Sequence, residues 1–462
     1  MSLSARLDRL PMSRPHFLLL LIGGLGYTFD GMDSAVVAFL MPSVREVFAL
    51  EQAQLGIVGS AAPFGFLFGA LIAGYLGDKI GRKQVMMWAL AVYAVASLAA
   101  ALSWSFESFL LFRIIAGAGA GAESAIIAPF LSEFVPKHRR GWFLGALAGF
   151  FSFGFVGAAL IGRFVVPAFA EGWRWAQVIT FIPIVMLLWW RRSLPESPRY
   201  LITQGRHDDA ERVVTDFEQR VGRATGRELP PVDPNAPAEE PPTKFAFGKA
   251  IRYLWGRSMW RITATTWLIW FVITFSYYGF FTWIPTLLVD KGIDVTTSFT
   301  YSLFIYLAQI PGYFSAAWLN EKLDRKFTIA MYLTGGALAA LWMSRAEDPA
   351  LVTLAGVTLS FFLNGTYAGV YAYTPEVFPT WLRATATGMS SSFGRVGSIT
   401  APIIIGLFAA QWGFVGVFGL TTAVLAVGVI CTLLFAVRTA GRSLEDITGP
   451  VETRAAKTGG PA

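Results

Sequence analysis

Long apolar stretches alternate with short polar loops along the whole chain. The stretches are about 20 residues long, which is the length that a helix needs to cross the hydrocarbon core of a bilayer. The pattern therefore predicts an all-α membrane protein with twelve spanning helices. They are expected near residues 17–40, 54–76, 85–104, 108–132, 142–165, 174–192, 260–288, 297–319, 327–344, 350–373, 385–409 and 414–437.

Composition agrees with this prediction and narrows the class of protein. Hydrophobic residues make up 55% of the 462 residues and charged residues 15%, against roughly 25% charged in soluble domains. The net charge of +7 is typical of loop Lys and Arg beside anionic lipid rather than of nucleic-acid binding. The first run, Phe17 to Leu40, is too long for a signal-peptide core and is expected to remain as a span.

The loop charges predict the orientation of the chain. One side is rich in basic residues, namely Lys79, Arg82, Lys83, Lys137, Arg139, Arg140, Lys322, Arg325, Lys326 and Arg383. The positive-inside rule places that side and both termini in the cytoplasm, with the chain in the inner cell membrane. The expected divisions are a six-helix bundle at 1–192, a cytoplasmic loop at 193–259, a second bundle at 260–438 and a cytoplasmic tail at 439–462.

The longest loop contains two recognisable segments. A charged stretch from Asp208 to Arg220 is helix-like, and a Pro-rich stretch from Pro230 to Pro242 is expected to form a flexible connector.

An internal repeat relates the two halves. Six landmark residues recur 243 positions later, for example from position 82 to position 325. The pairs are Pro42 with Pro285, Arg82 with Arg325, Glu133 with Glu376, Pro136 with Pro379, Arg140 with Arg383, and Arg199 with Arg442. Parallel halves of six spans are one standard construction of transporters, and substrate is then expected to bind between the halves.

The loop GYLGDKIGRK, from Gly74 to Lys83, resembles the signature loop of the major facilitator superfamily. A degenerate copy, AWLNEKLDRK, lies at 317–326. Gly74 and Gly81 are expected to let the chain turn at a helix end, while Asp78 pairs with arginines of neighbouring helix ends. The resemblance implies pairs that form in one gate state and break in the other. The residues assigned to this gate are Gly74, Asp78, Gly81, Arg82, Glu133, Arg140, Glu196, Arg199, Arg325, Glu376 and Arg383.

Further motifs narrow the resemblance. RIIAGAGAG at 113–121 resembles the fourth-helix motif of the superfamily, while PESPR at 195–199 and GRSLEDI at 441–447 resemble its sugar porters. FDGMD at 29–33 is similar to the paired-aspartate motif of aromatic-acid:proton symporters and niacin transporters. GRVGSITAP at 394–402 is similar to an arginine-bearing segment of that group and of organic-anion carriers.

Five ionisable residues lie inside predicted spans: Asp30, Asp33, Arg113, Glu123 and Arg395. Burial of a charge in a membrane is costly, so such residues are functional candidates by default. Asp33 lies roughly 10 Å and Arg113 roughly 7 Å from the outer ends of their helices, so they can meet. The resemblance to sugar porters implies that they form the proton-coupling pair, with Asp30 and Glu123 able to share or relay the proton. The alternatives are a permanent structural ion pair and a packing role for Asp30.

Arg395 lies near the bilayer centre on helix eleven, where a guanidinium needs an anion. The alternatives are an aspartate and a substrate carboxylate, and the second is favoured because Arg binds carboxylates bidentately. Other polar and aromatic residues predicted to line the cavity are Tyr277, Tyr278, Phe281, Trp283, Tyr306, Gln309, Asn364, Tyr367 and Tyr371. Aromatic walls with few polar groups suit a flat organic ligand, although for any single ring packing or the interfacial belt is the better expectation.

The leading hypothesis is proton-coupled uptake of a small aromatic monocarboxylate, with nicotinate as the best guess. The alternatives are a sugar or polyol porter, another organic-ion carrier, a non-transporting sensor and a membrane-embedded enzyme. No HExxH motif and no GxxxxGK[ST] motif occur in the sequence, so neither metalloenzyme chemistry nor ATP-driven pumping is expected. The expected partners are an organic anion, protons and lipid, with no cofactor, no metal and no nucleic acid, and the protein is expected to be monomeric.

Overall fold

The apolar stretches of the sequence form long helices in the computed structural model. The structure describes residues 3–232, 247–379 and 382–439, apart from the side chains at positions 78, 187, 188, 191, 247, 321 and 384. All regular elements in these ranges are helical. The predicted helical fold class is therefore confirmed.

Ten helices lie in the first described range, residues 3–232. They are α1 (Leu3–Asp8), α2 (Arg14–Phe48), α3 (Gln52–Ile80), α4 (Arg82–Ala101), α5 (Phe106–Ser132), α6 (Arg140–Phe164), α7 (Gly172–Phe181), α8 (Met186–Ser193), α9 (Pro198–Thr203) and α10 (His207–Thr225). The last of these confirms the predicted charged helix. Of the Pro-rich connector predicted at 230–242, the part from residue 233 onward lies outside the described residues.

Seven helices follow. They are α11 (Phe247–Leu254), α12 (Trp260–Asp290), α13 (Val295–Leu307), α14 (Gln309–Lys322), α15 (Arg325–Arg345), α16 (Pro349–Glu376) and α17 (Arg383–Phe435). Eight helices of the described chain are long and apolar enough to span a membrane. When each interrupted crossing is counted once and α17 twice, the helices make twelve crossings, six in each half.

Three crossings differ from straight helices. The crossing predicted at 174–192 contains a 3₁₀ turn at Ile182–Val185 between α7 and α8, because Pro183 has no N–H to continue the helix. The crossing predicted at 297–319 is interrupted at Ala308, three residues before Pro311. The last two crossings are continuous in α17 and turn at Gly413, whose φ of 59° is in the left-handed region that glycine tolerates.

The chain divides into two compact units. The first unit comprises residues 1–48 and 61–243, and the second comprises residues 49–60 and 244–462. The start of α3 thus counts with the second unit. The limits inferred from the sequence, at residues 192, 259 and 438, stay predictions.

Glycines on α5 set the packing of the first unit. A Cβ at Gly117 would lie 2.2 Å from the Ala62 carbonyl oxygen of α3, and a Cβ at Gly119 would lie 2.5 Å from the Tyr93 backbone nitrogen of α4. No side chain fits at these distances, so α5 contacts a neighbouring helix on each of two faces. The glycine-rich motif therefore holds the charged residues of α5 in the centre of this unit.

The N-terminal helix α1 packs on α10 through an N-terminal clasp, formed by Arg6, Arg9 and Glu218. Arg6 Nη2 donates to Glu218 Oε2 at 2.6 Å, and Arg9 Nη2 donates to Glu218 Oε1 at 2.7 Å. Leu7 beside these arginines and Val214 of α10 are buried in one hydrophobic core. The clasp therefore combines apolar burial with a carboxylate that has two guanidinium partners.

Replacement of Glu218 by glutamine is expected to lower the melting temperature at neutral pH. Burial raises the pKa of the Glu218 carboxyl, but the hydrogen bonds and charges of Arg6 and Arg9 outweigh burial and leave its pKa below the ordinary value of 4.5. The ionised clasp therefore stabilises the fold above that ordinary value and is lost as the pH falls through the folded-state pKa. We expect a cost of about 1–3 kcal/mol at pH 7, because two partly buried guanidinium groups lose their charged acceptor.

Differential scanning fluorimetry at pH 7 and at pH 4 checks this expectation. Glu211→Gln is the matched control, because Glu211 also contacts Arg6 but its side chain is 68% exposed, against 9% for Glu218. The control should have a small effect, and the difference between wild type and Glu218→Gln should narrow at pH 4. Equal losses in both variants, or a difference that widens in acid, would contradict the expectation.

Candidate functional site

Arg113 and Asp33 form a buried ion pair in the middle of the first unit. Arg113 Nη1 donates to Asp33 Oδ1 at 2.7 Å, and Arg113 Nη2 donates to Asp33 Oδ2 at 3.1 Å. Nη2 also donates to the backbone oxygen of Asp33 at 3.1 Å. The guanidinium is 0% exposed, so this fork-to-fork contact is shielded from water and is strong. The structure thus brings together the two residues predicted to meet.

Asp30 and Glu123 are buried in the same unit as this ion pair. Each residue is 1% exposed. Neither Glu123 carboxylate oxygen has a hydrogen-bond partner among the described residues, and a Cβ added at Gly26 would lie 2.4 Å from Glu123 Oε1. The absence of a side chain at position 26 therefore leaves the space that the Glu123 carboxyl occupies between α2 and α5.

Two residues of this cluster were not predicted. Gln177 of α7 accepts from Arg113 Nη1 at 3.5 Å, and its signal was present as a lone amide in an apolar helical stretch. Tyr93 of α4 is fully buried, and its hydroxyl has no hydrogen-bond partner among the described residues. This hydroxyl is within interaction range of the charges at Asp33, Asp30 and Glu123. The cluster therefore extends over four helices of the first unit.

Arg395 lies among tyrosines in the second unit. Its guanidinium is half-buried, and Nη1 lies 3.4 Å from the hydroxyl oxygen of Tyr278. Tyr367 and Tyr371 lie within interaction range of the same guanidinium, and their rings stack with centroids 6.0 Å apart. Tyr278 and Tyr367 are partly accessible and Tyr371 is exposed. A small anion can therefore reach this cation beside aromatic faces.

A second layer of residues supports these tyrosines from behind. Tyr277 packs edge-on against Tyr367 with centroids 5.0 Å apart, and its hydroxyl donates to Gln309 Oε1 at 2.9 Å. Phe281 lies 4.5 Å from the Tyr277 ring. The Tyr306 hydroxyl donates to the Phe281 carbonyl oxygen at 2.7 Å. These four side chains are buried and fix the positions of the accessible rings.

Two further residues predicted to line the cavity are buried, and one residue was missed. The Asn364 amide donates to the Ser360 carbonyl oxygen of its own helix at 3.1 Å. Trp283 is fully buried and donates to the Pro402 carbonyl oxygen at 3.0 Å. Trp270, which was not predicted, packs edge-on against Tyr371 at 5.0 Å and donates to Thr374 Oγ1 at 2.9 Å. Trp270 lies two helical turns before Tyr277 on α12, and this spacing is the sequence feature that could have indicated it.

The signature loop of the first unit is held by two glutamates. Arg82 and Glu133 form a salt bridge, and Ser197 Oγ donates to Glu133 Oε2 at 2.6 Å. Glu196 Oε1 accepts from the backbone N–H groups of Arg82 and Lys83, each at 3.1 Å. Glu196 therefore satisfies two N–H groups at the start of α4 that have no acceptor within the helix.

The second unit repeats the salt bridge but not the source of the capping carboxylate. Arg325 Nη2 lies 3.0 Å from Glu376 Oε1, as the 243-residue repeat predicts from Arg82 and Glu133. Asp324, which corresponds to Gly81, accepts from the backbone N–H of Lys326 at 2.9 Å and from that of Thr439 at 2.9 Å. The two units therefore make related contacts at the start of α4 and of α15. The carboxylate belongs to Glu196, after α8, in the first unit and to Asp324, directly before α15, in the second.

Gly74 does not turn the chain, and this expectation was wrong. Helix α3 continues to Ile80, and nothing lies within 4 Å of a Cβ added at Gly74. The helix continues through the exposed Gly74 because its backbone hydrogen bonds do not depend on a side chain. The chain turns at Gly81, whose φ of 101° is in the region that glycine tolerates.

The other residues assigned to the gate differ in their contacts and exposure. Arg140 donates to Asp8 Oδ1 of α1 at 3.0 Å, while Arg199 is exposed close to Glu133. Arg383 is half-buried as the first residue of α17. The Asp78 side chain, Arg442 and the segment 441–447 lie outside the part of the chain that the structure describes. Within that part, no group of three His, Cys, Asp or Glu side chains could hold a metal ion.

Comparison with known proteins gives consistent matches over nearly the whole chain. The family model described as "Sugar (and other) transporter" matches residues 20–449. The niacin transporter NiaP of Acinetobacter baylyi is 37% identical over 451 residues, covering 97% of this chain and 100% of that protein. A provisional niacin/nicotinamide transporter NiaP of Bacillus subtilis is 34% identical, covering 92% and 97%.

The fold also matches solved structures. The xylose transporter XylE from E. coli, in a partially occluded inward-open conformation, superposes with a TM-score of 0.76. The match covers 94% of this chain and 100% of that one, at 17% sequence identity. At this identity the likeness supports the arrangement of helices and nothing about the ligand.

Proposed function

Because this chain belongs to the sugar and other transporter family of the major facilitator superfamily, we propose that it carries out proton-coupled uptake of nicotinate or a related aromatic monocarboxylate. It is a multi-pass membrane transporter. The substrate, the proton coupling and the alternating exposure of the site to the two sides of the membrane form the proposal. The niacin relatives support the choice of substrate.

The observation that carries the proposal is Arg395 among accessible tyrosine rings. A guanidinium binds a carboxylate through two parallel hydrogen bonds, and the rings of Tyr278, Tyr367 and Tyr371 offer faces for a flat heteroaromatic ring. The phenol hydroxyls supply donors and acceptors for a pyridine nitrogen. Nicotinate has these three features in one small molecule, whereas a neutral sugar has no carboxylate for the guanidinium to bind.

The Asp33–Arg113 pair supplies a means of coupling protons to this substrate. The ionised pair holds α2 and α5 together through two charged hydrogen bonds. Protonation of Asp33 neutralises the carboxylate and weakens its hold on Arg113, so the two protonation states favour different arrangements of these helices. If the substrate also binds these arrangements unequally, proton and substrate shift the same equilibrium. Transport by alternating access then follows from population shift.

Glu123 fits the role of a proton carrier beside this pair. A carboxyl group buried without a hydrogen-bond donor is more stable neutral than ionised, so Glu123 can hold a proton near the coupling pair. Asp30, one helical turn before Asp33, is the second candidate for this relay. Tyr93 lies among all three carboxyls and offers a hydroxyl that can both donate and accept.

Uptake of radiolabelled nicotinate into proteoliposomes tests the proposal. We expect accumulation when the outside is made acidic, and loss of accumulation when a protonophore collapses the gradient. Unlabelled benzoate should compete, while nicotinamide and glucose should not, because neither carries a carboxylate for Arg395. Competition by nicotinamide equal to that by nicotinate, or uptake of glucose, would overturn the substrate assignment. Nicotinate uptake indifferent to the gradient would overturn the coupling.

A further inference from the structure

We infer that α11 and the start of α12 form a binding surface for the headgroup of an anionic phospholipid. This surface, here the basic collar, comprises Lys249, Arg252, Trp255, Arg257, Trp260 and Arg261. It belongs to the second unit and shares no residue with the aromatic site around Arg395. The inference is independent of the identity of the transported substrate.

The apolar side of α11 is already occupied by protein. Ala250 and Leu254 are 1% and 0% exposed, and the Thr263 hydroxyl donates to the Leu254 carbonyl oxygen at 2.9 Å. Trp255 packs edge-on against Trp267 with centroids 5.2 Å apart, and Trp267 stacks on Phe393 of α17 at 4.8 Å. The short helix is therefore fixed against α12 and α17, and its orientation is determined.

Exposed basic residues occur on α11, in the turn after it and at the start of α12. Lys249, Arg252, Arg257 and Arg261 are all exposed. No acidic residue occurs between positions 244 and 289, and none of the four cations has a carboxylate partner among the described residues. On α10, by contrast, Arg206 lies 2.7 Å from Asp209. Within the part of the chain that the structure describes, the collar is thus a cluster of cations without carboxylate partners, held on a packed base.

Two exposed indoles place this cluster at the level of lipid headgroups. The helix that is long and apolar enough to span a membrane begins at Trp260, and Trp255 and Trp260 are 46% and 45% exposed. Exposed tryptophan at the end of a span is typical of the interface between headgroups and acyl chains. The Arg261 guanidinium lies 5.5 Å from the centre of the Trp260 ring, which keeps a charge beside the apolar ring.

An anionic phospholipid matches both parts of the collar. Its phosphate can accept charged hydrogen bonds from arginines, while its glycerol and acyl chains can contact the indoles. A soluble phosphate would match the cations only. Each basic residue near an anionic membrane surface contributes about a fivefold gain in binding, so three arginines together are expected to change affinity at least about tenfold.

Native mass spectrometry of the detergent-purified full chain, titrated with phosphatidylglycerol, tests the inference. The test variant carries Arg252→Gln, Arg257→Gln and Arg261→Gln. The matched control carries Arg206→Gln, Arg212→Gln and Arg220→Gln on α10, which removes the same charge from exposed arginines that have aspartate partners. We expect at least about tenfold weaker binding of phosphatidylglycerol in the test variant and little change in the control, with no effect of either on phosphatidylcholine.

Two further measurements keep the inference open to contradiction. The charge-preserving variant Arg252→Lys, Arg257→Lys and Arg261→Lys should restore most of the binding, which a merely misfolded collar would not allow. Inorganic phosphate should not displace the lipid at equal concentration. Equal weakening in the two glutamine variants, no rescue by lysine, or displacement by free phosphate would each overturn the assignment to a lipid. Because the readout is bound lipid, a failure of the nicotinate assay would leave these results unaffected.

Discussion

Proton-driven accumulation of nicotinate is expected to fall about 10- to 100-fold when Asp33 is replaced by asparagine. Asparagine keeps the shape of the side chain but cannot ionise, and it offers Arg113 one neutral oxygen in place of two charged ones. The buried guanidinium then no longer distinguishes a protonated partner from an ionised one. The variant should therefore bind substrate yet respond weakly to the proton gradient.

Counterflow exchange separates this effect from general damage. Exchange of labelled for unlabelled nicotinate needs no net proton movement, so Asp33→Asn should retain exchange, with a flatter dependence on pH than wild type. Glu211→Gln is the comparison, because Glu211 is a 68% exposed carboxylate of α10 that lies outside the proposed coupling cluster. Loss of exchange together with accumulation, or equal losses in the two variants, would show that coupling does not reside in the Asp33–Arg113 pair.

Replacement of Arg395 by glutamine is expected to weaken nicotinate binding at least about 30-fold. Removal of one member of a buried charge pair costs about 2–5 kcal/mol in a binding interface, and each 1.4 kcal/mol is a factor of ten in Kd. Arg395→Lys should lie between wild type and Arg395→Gln, because lysine keeps the charge but loses the planar fork that matches a carboxylate.

Isothermal titration of purified variants with nicotinate measures this change. Arg345→Gln, which removes an exposed arginine of the same unit, should leave the Kd near that of wild type. Binding of nicotinate that is indifferent to Arg395, or a lysine variant that is as weak as the glutamine variant, would assign the carboxylate to another residue.

Much of the helical layout could be predicted because apolar length is a direct physical requirement of the bilayer. The predicted limits fail where helices are interrupted. The 3₁₀ turn after Phe181 leaves the run of apolar residues uninterrupted, so hydropathy does not detect it. The interruption at Ala308 has the same explanation, although a proline follows nearby in each case.

The ion pair of Asp33 and Arg113 could be predicted for a different reason. A buried charge needs a partner of opposite sign, and few other residues at a similar depth could serve as that partner. Gln177 is neutral, so the need for an opposite charge did not indicate it, although it is a lone amide in an apolar stretch. The contact of Arg140 with Asp8 was equally hidden, because pairing between an N-terminal segment and a distant loop depends on how both pack and leaves no periodic trace in the sequence.

The repeat predicted that Arg82 and Arg325 occupy related positions, and both form salt bridges with the related glutamates. It did not predict that the carboxylate at the start of the helix comes from Glu196 in the first unit and from Asp324 in the second. Glycine at position 81 and aspartate at position 324 have different chemistry, so a repeat recognised by identical residues does not include them.

The different origin of these two acids has a consequence for synthesis of the chain. In the first unit, the start of α4 receives its carboxylate from Glu196, which follows α8 in sequence. In the second unit, Asp324 directly precedes α15 and is present as soon as that helix emerges. A nascent first bundle therefore cannot complete its signature turn until its sixth crossing has been made, whereas the second bundle can form the equivalent turn after its second.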